Sequence, residues 1–126
     1  MRLLLDTHAL IWWVEDSPML SEPARAAITD NEVLVSAASA WEVATKFRLG
    51  KLPSAERMAR AFAAEVAAEG FTPLAVTLDH AALAGSLDIP HKDPFDRLLI
   101  AQARVERVPL VSNERVFDGF GVERVW

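Results

Sequence analysis

Short apolar segments with the composition of β-strands alternate along this chain with segments that have helical periodicity. Several of the apolar segments end at a residue that can cap a helix, as at Asp6 and Ser36. Strands joined by crossover helices pair in parallel, because each helix carries the chain back to the edge of the sheet where the previous strand began. The alternation therefore predicts an α/β domain of three layers, in which a short parallel sheet is flanked by helices.

The predicted elements follow one another without a linker, an internal repeat or a low-complexity segment. The length of 126 residues suits a single domain, residues 1–126. The predicted strands are residues 2–5, 33–35, 73–76, 109–112 and 122–126. The predicted helices are residues 6–14, 21–29, 36–49, 54–69, 79–87 and 93–105. The alanine-rich helix 54–69 has the least informative sequence, and we expect it to be an arm or a partner surface.

The composition excludes several classes of protein. With no cysteine, the chain has neither disulfides nor thiolate metal ligands, which is compatible with a reducing cytoplasm. No apolar run is long enough to span a membrane, and no basic amino-terminal region precedes a small-residue cleavage site. We therefore expect a cytoplasmic protein with no membrane partner. The formal net charge of -5 argues against binding nucleic acid through bulk positive charge, but it suits a local site where acids surround a cation.

Four acidic residues follow predicted strands. Asp6 follows the first strand, and Glu42 is the only charged residue within 33–45. Asp96 opens an apolar helix, and Glu114 follows the fourth strand. Because the carboxyl ends of parallel strands meet at one edge of an open sheet, where ligands bind, we expect these side chains to converge there.

Converging carboxylates repel one another, so either their pKa values rise or a cation neutralises them. Oxygen ligands in a chain without cysteine favour a hard divalent ion, Mg²⁺ or Mn²⁺. Such an ion can activate water and stabilise the leaving oxygen of a phosphodiester. The acidic residues therefore indicate metal-dependent phosphodiester chemistry.

Each acid also has a purely structural explanation. Asp6 can cap the helix that it precedes. Glu42 can form an ordinary ion pair with Lys46 one turn later. Residues 93–96 (DPFD) have the sequence of a helix opening, and for Asp93 a capping role is the better explanation. Glu114 can be a first-turn acid of a short helix, so the joint placement of the acids matters more than any one of them.

Other residues favour no competing chemistry. The histidines do not share a metal-ligand spacing, and we expect none to be a ligand: His8, His80 and His91. The five glycines form no phosphate-binding loop. Tryptophans in such positions are more often part of a core or a partner surface than base-stacking platforms: Trp12, Trp13 and Trp41.

Four segments, taken in order, resemble the PIN-domain toxins called VapC. They are LLLDTHALIWW at 3–13, VSAASAWEVATKFRLGKL at 35–52, HKDPFDRLLIAQA at 91–103 and LVSNERVF at 110–117. The likeness spans nearly the whole chain and ends with the short strand VERVW, as the family does. It implies a parallel sheet flanked by helices, an acidic Mg²⁺ or Mn²⁺ site, RNA endonuclease activity, a small antitoxin partner and assembly as a homodimer.

The resemblance also assigns roles to individual residues. Asp6, Glu42 and Asp96 match the family's acids and are the implied metal ligands, while Thr7 and Ser112 match small hydroxyl positions beside them. The family usually carries Asp in a Thr-x-Asp pattern at the last acidic position. This chain carries Ser112, Asn113 and Glu114 there, and Glu is one methylene longer. Asp93 is an additional acid, for which the resemblance implies a supporting role behind the metal ligands.

These features lead to a predicted metal-dependent endoribonuclease, the toxin of a type II toxin–antitoxin system, with Lys46, Lys92 or Arg97 as candidate phosphate contacts. The alternative is a non-catalytic domain whose acidic pocket binds an arginine of a partner. A phosphatase with an aspartyl nucleophile at Asp6 is disfavoured, because the second acid that such chemistry commonly uses would fall at His8.

A homodimer is expected on one further ground. Four large apolar side chains offer more surface than one small core readily absorbs. They are Trp12, Trp13, Met58 and Phe62.

Overall fold

The computed structural model describes residues 1–126 and contains five strands and seven α-helices. The strands are β1 (Arg2–Leu5), β2 (Glu32–Ser36), β3 (Thr72–Leu74), β4 (Leu110–Val111) and β5 (Arg124–Val125). The helices are α1 (Thr7–Val14), α2 (Glu22–Asp30), α3 (Ala37–Arg48), α4 (Glu56–Arg60), α5 (Phe62–Ala68), α6 (Leu78–Ser86) and α7 (Pro94–Glu106). Short 3-10 helices cover Pro53–Ala55 and Arg115–Phe117.

All five strands form one parallel sheet in the order β3-β2-β1-β4-β5. The first strand is central: Leu3 lies opposite Val33 of β2, and Leu4 opposite Leu110 of β4. The predicted α/β architecture is therefore confirmed. Because every strand runs the same way, all the carboxyl ends lie at one edge of the sheet.

Helices cover both faces of the sheet, so β1 is buried on both sides. Leu3 and Leu5 point into one apolar cluster together with Leu10, whereas Leu4 points into the other with Ile100. All five side chains are at most 1% exposed. The uninterrupted apolar run of the first strand follows from this arrangement, since neither face meets water.

Capping side chains fix where three of the helices begin. The Asp6 carboxylate accepts a hydrogen bond of 2.7 Å from the backbone N–H of Ala9, and the Ser36 hydroxyl accepts one of 2.9 Å from Ala38. The Ser21 hydroxyl caps α2 in the same way. The capping residues expected from the sequence are confirmed, and each cap fixes the direction in which the chain leaves the sheet.

The alanine-rich segment 54–69 was predicted as one helix, and that prediction is wrong. The chain forms the 3-10 turn, α4 and α5, and breaks at Ala61, whose backbone leaves the helical region at φ -142° and ψ 44°. The expectation of an arm or a partner surface is also wrong in part, because Met58 and Val66 are buried in the core. None of the seven helices is long and apolar enough to cross a membrane.

Candidate active site

A small polar cavity of about 70 Å³ lies at the carboxyl edge of the sheet. None of its lining side chains is hydrophobic. They are Asp6, Thr7, His8, Glu42, Lys46, Asp93, Asp96 and Glu114. The convergence expected from the sequence is thus observed for all five acids, although they lie far apart along the chain.

Asp6 occupies the turn between β1 and α1 and is 3% exposed. Its Oδ1 accepts the N–H of Ala9, so capping holds the carboxylate at the floor of the cavity. Burial raises the pKa of Asp6 to about 6, against hydrogen bonds from Ser112 and Ala9 that lower it, while the charge of Glu114 raises it further. The capping explanation and the site explanation therefore hold together for this residue.

Glu42 faces the cavity from the middle of α3 and is 4% exposed. The Thr7 hydroxyl lies 2.5 Å from Glu42 Oε1 and 3.0 Å from Ser39 Oγ, and the Lys46 ammonium donates to Oε2. The ion pair with Lys46 expected as an alternative does form. It is not a solvated surface pair, because the carboxylate is buried and fixed on two sides.

Lys46 is the one ammonium group within the cavity lining. Burial alone would lower the pKa of Lys46, but the hydrogen bond to Glu42 and the charges of Glu42, Asp93 and Asp96 outweigh it and raise that pKa. This side chain therefore stays charged and offsets part of the negative charge of the acids.

Asp96 and Asp93 enter from the start of α7. Asp93 Oδ1 accepts the backbone N–H groups of Phe95 and Asp96 at 2.9 and 3.0 Å, which confirms its capping role. Asp96 Oδ2 lies 2.7 Å from His91 Nε2. Burial raises the pKa of Asp96 to about 6, partly opposed by the His91 hydrogen bond and reinforced by the charges of Asp93 and Glu114.

Glu114 closes the cavity from the turn after β4. Its backbone N–H donates to Ser112 Oγ at 3.0 Å, and its Oε1 lies 3.8 Å from His8 Nδ1. Its side chain is 38% exposed, in contrast to the buried carboxylates of Asp6 and Glu42. Glu114 therefore sits at the mouth of the cavity, with its carboxylate free to change position.

Arg97 is held by the chain itself and does not face the cavity. Its guanidinium donates to the backbone carbonyls of Ala84 at 2.9 Å, Leu87 at 2.6 Å and His91 at 2.9 Å, with longer contacts to Gly85 and Ile89. A guanidinium has five N–H groups, and these contacts occupy them. The prediction of Arg97 as a phosphate contact is therefore wrong: it anchors the loop that carries His91 to the first turn of α7.

Three site features escaped the sequence prediction. His91 contacts Asp96, His8 lines the cavity, and Arg97 anchors the loop before α7. The spacing test for metal ligands removed both histidines from consideration, although neither needs to be a ligand to act on a carboxylate. The signal that could have found His91 was its position five residues before Asp96, across the turn made by Pro94.

The donor set suits a hard cation. All five acids supply oxygen, no thiolate is present, and two of the carboxyl groups have a raised pKa because burial and mutual repulsion disfavour their charges. No three His, Asp or Glu side chains are arranged as a closed ligand set, however, since Glu42 is engaged by Lys46 and Asp96 by His91. The chemistry of the residues fits a divalent ion, and binding one requires these side chains to exchange partners.

A larger cavity, of about 280 Å³, lies on the other side of α3 and is lined almost entirely by apolar side chains, among them Val35, Phe62 and Leu74. It contains no acid, base or other titratable side chain. The polar cavity, although smaller, is therefore the place where this chain can perform chemistry.

Comparison with known proteins gives agreement in sequence and in fold. The family model described as PIN domain matches residues 3–122. Ribonuclease VapC16 of Mycobacterium tuberculosis is 47% identical over 60 residues, which cover 46% of this chain but only 43% of that protein. Ribonuclease VapC22 of the same organism is 32% identical over 118 residues, covering 90% of this chain and 87% of that protein. The crystal structure of VapBC2 from Rickettsia felis, bound to a DNA fragment from its promoter, matches with a TM-score of 0.68 at 13% identity, over 98% of this chain and 97% of that one.

Proposed function

This chain belongs to the PIN-domain family and to its VapC ribonucleases, and from that premise we propose that it is a metal-dependent endoribonuclease, the toxin of a toxin–antitoxin pair. The observation that supports this most strongly is the cavity where five acids from distant parts of the sequence meet without one apolar neighbour. Two of those acids carry raised pKa values, which is the electrostatic state of a cation site.

Asp6, Glu42 and Asp96 would hold the metal, Mg²⁺ or Mn²⁺, with Glu114 available at the mouth of the cavity. When bound, the ion would lower the pKa of an attacking water and neutralise charge on the scissile phosphate. The chain's own residues supply the positioning: the cap to Ala9 fixes Asp6, and Thr7 fixes Glu42.

Positively charged or hydrogen-bonding neighbours keep the acids ready. Lys46 balances Glu42, and His91 Nε2 directs Oδ2 of Asp96. Asp93 acts behind Asp96 by capping α7, so its contribution is to orientation. The carboxylates are thus kept in place and in a partly dry setting, where their attraction for a divalent ion is stronger than in water.

The partner and assembly belong to the same proposal. We propose an antitoxin as the protein partner, RNA as substrate, the cytoplasm as location and a homodimer as the assembly. The apolar surface once expected to drive dimerisation does not support the last point: Met58 is buried in the core, and Trp12, Trp13 and Phe62 pack against it. The homodimer therefore stays a prediction without that motive. A non-catalytic arginine-binding domain is not favoured, because the relatives that match are ribonucleases by name.

Cleavage of RNA by the purified chain, with Mg²⁺ or Mn²⁺ and with a chelator, tests the proposal. Asp96→Asn should abolish cleavage while the protein stays folded. The amide keeps the size of the side chain but removes the charge that a hard divalent ion needs. Without metal, the variant should be at least as stable as the unmodified protein, because a repelled and partly buried charge is gone.

Asp79→Asn is the matched control, since Asp79 is also a first-turn acid of a helix but lies on α6, outside the cavity lining. It should leave cleavage unchanged. Full activity of Asp96→Asn would mean that Asp96 only opens its helix, and cleavage that persists in the chelator would rule out a metal-dependent reaction.

A further inference from the structure

Trp41 exposes a large aromatic ring at the surface beside the acidic cavity. The residue is 55% exposed, so the expectation of a core position is wrong for it. Its ring packs edge-to-face on Phe95, with ring centroids 4.6 Å apart and an interplanar angle of 74°. Phe95 is only 8% exposed. A buried ring therefore supports Trp41 from one side, while much of the indole faces solvent.

The position of this aromatic pair relates it to the proposed reaction site. Trp41 directly precedes Glu42 on α3, and Phe95 lies between Asp93 and Asp96 at the start of α7. The two helices that place three acids in the cavity therefore also place the Trp41–Phe95 pair next to it.

The cavity itself cannot account for binding of a nucleic acid. About 70 Å³ gives room for an ion and a few waters, each of which needs roughly 10–15 Å³. A nucleobase must consequently lie outside it. Two cations considered for phosphate binding are already engaged, Lys46 by Glu42 and Arg97 by backbone carbonyls. With a net charge of -5, the chain needs contacts that do not depend on its charge.

We propose that Trp41 is the stacking platform for one base of single-stranded RNA whose neighbouring phosphate lies at the acidic cavity. This inference rests on the proposed ribonuclease function and narrows its substrate to unpaired RNA. Aromatic rings stack on any base, since every base has a π-face, and the bases must be unstacked to reach the ring. Trp41 would thus contribute affinity that tolerates sequence and is little affected by the acidic surroundings.

Intrinsic tryptophan fluorescence of the full chain tests the proposal. A short mixed-sequence RNA is titrated in a chelator, so that metal-dependent cleavage does not interfere. The unmodified protein should show quenching by the single strand and much weaker quenching by the same RNA in a duplex. Trp41→Leu should bind the single strand roughly five- to a hundredfold more weakly, the range for removing one base–aromatic stack.

Trp41→Phe provides a second, conservative variant that keeps an aromatic ring on Phe95. It should recover a large part of the affinity while losing most of the quenching. Trp13→Phe is the matched control, because Trp13 bonds to Glu69 and packs on Phe71, away from the cavity. That variant should keep both the affinity and the quenching. In metal-dependent cleavage, Trp41→Leu should raise KM more than it lowers kcat.

Other outcomes overturn the proposal. Unchanged RNA affinity and KM in Trp41→Leu, while the unmodified protein binds and cuts RNA, would exclude stacking and leave the ribonuclease function intact. Unchanged RNA affinity with a lower mass in solution, or with loss of antitoxin binding, would assign Trp41 to a protein interface. Absence of RNA cleavage by the unmodified protein would instead reject the proposed function itself. If Trp41→Leu does not fold, RNA quenching that is equal in the unmodified protein and in Trp41→Phe excludes Trp41 as the stacked ring.

Discussion

Asp6 and Asp96 carry charges in places from which water is partly withdrawn, and this has a measurable effect on stability. Burial raises the pKa of each carboxyl group from 3.8 to about 6. Between these values the folded chain binds protons that the unfolded chain has already released. The stability of the metal-free protein therefore falls as the pH rises through about 6, and is greater on the acidic side of that range.

We expect the free energy of unfolding, measured in a chelator, to increase between pH 7.5 and pH 5.5 by about 1 kcal/mol from Asp6, and by less from the more exposed Asp96. Asp6→Asn keeps the helix cap but removes the titrating group, so this variant should lose its share of the increase. Denaturant unfolding of both proteins at several pH values measures the difference. The same slope in both would contradict a raised pKa for Asp6.

Sequence reasoning at the level of single residues identified the acids but not the neighbours that orient them. Asp6, Glu42 and Asp96 stood out because each was an isolated charge beside an apolar segment. The contacts of His91 and Arg97 depend on how the loop before α7 folds back, which no periodicity encodes. The role of each acid in binding metal stays a prediction.

At the scale of elements, most strands and helices follow from local sequence signals, whereas the break at Ala61 does not. Alanine is the strongest helix former, so no local preference ends a helix there. Ala55, Met58 and Val66 are all buried in one cluster. Two short helices can each direct their apolar residues inward, where a straight helix would turn some of them to solvent. Tertiary packing therefore overrides helix propensity in this segment.

The loop before α7 depends on a single guanidinium, which leads to a prediction about that element. Arg97→Lys replaces a planar group with five N–H donors by an ammonium that cannot reach the same carbonyls together. We expect the free energy of unfolding to fall by roughly 2–4 kcal/mol, because several partly buried hydrogen bonds are lost. Cleavage should fall as well, since the same loop orients His91 toward Asp96.

Arg104→Lys is the control for this substitution, on the same helix but next to Gly121. Chemical denaturation of the three proteins measures the effect. If both lysine variants prove equally stable, the carbonyl contacts of Arg97 contribute little, and the loop must be held by other means.

At the scale of the whole molecule, the proposed function predicts a phenotype. Expression of the chain alone should arrest growth, and co-expression with an antitoxin encoded beside it should restore growth. The cause is cleavage of cellular RNA, so Asp96→Asn should be harmless when expressed at the same level. Normal growth with abundant, folded, unmodified protein would contradict the toxin proposal. The mass of the purified chain in solution at micromolar concentration measures the predicted homodimer separately.

The central position of β1 gives the chain a built-in delay during its own synthesis. Leu4 pairs with Leu110, and the cavity beyond that pair is completed by Glu114, so the earliest and latest parts of the chain must meet before the acids converge. A nascent chain still attached to the ribosome before β4 has emerged lacks one wall of the cavity. If the chain is the proposed ribonuclease, its own messenger RNA is therefore read almost to the end before the growing polypeptide can attack it.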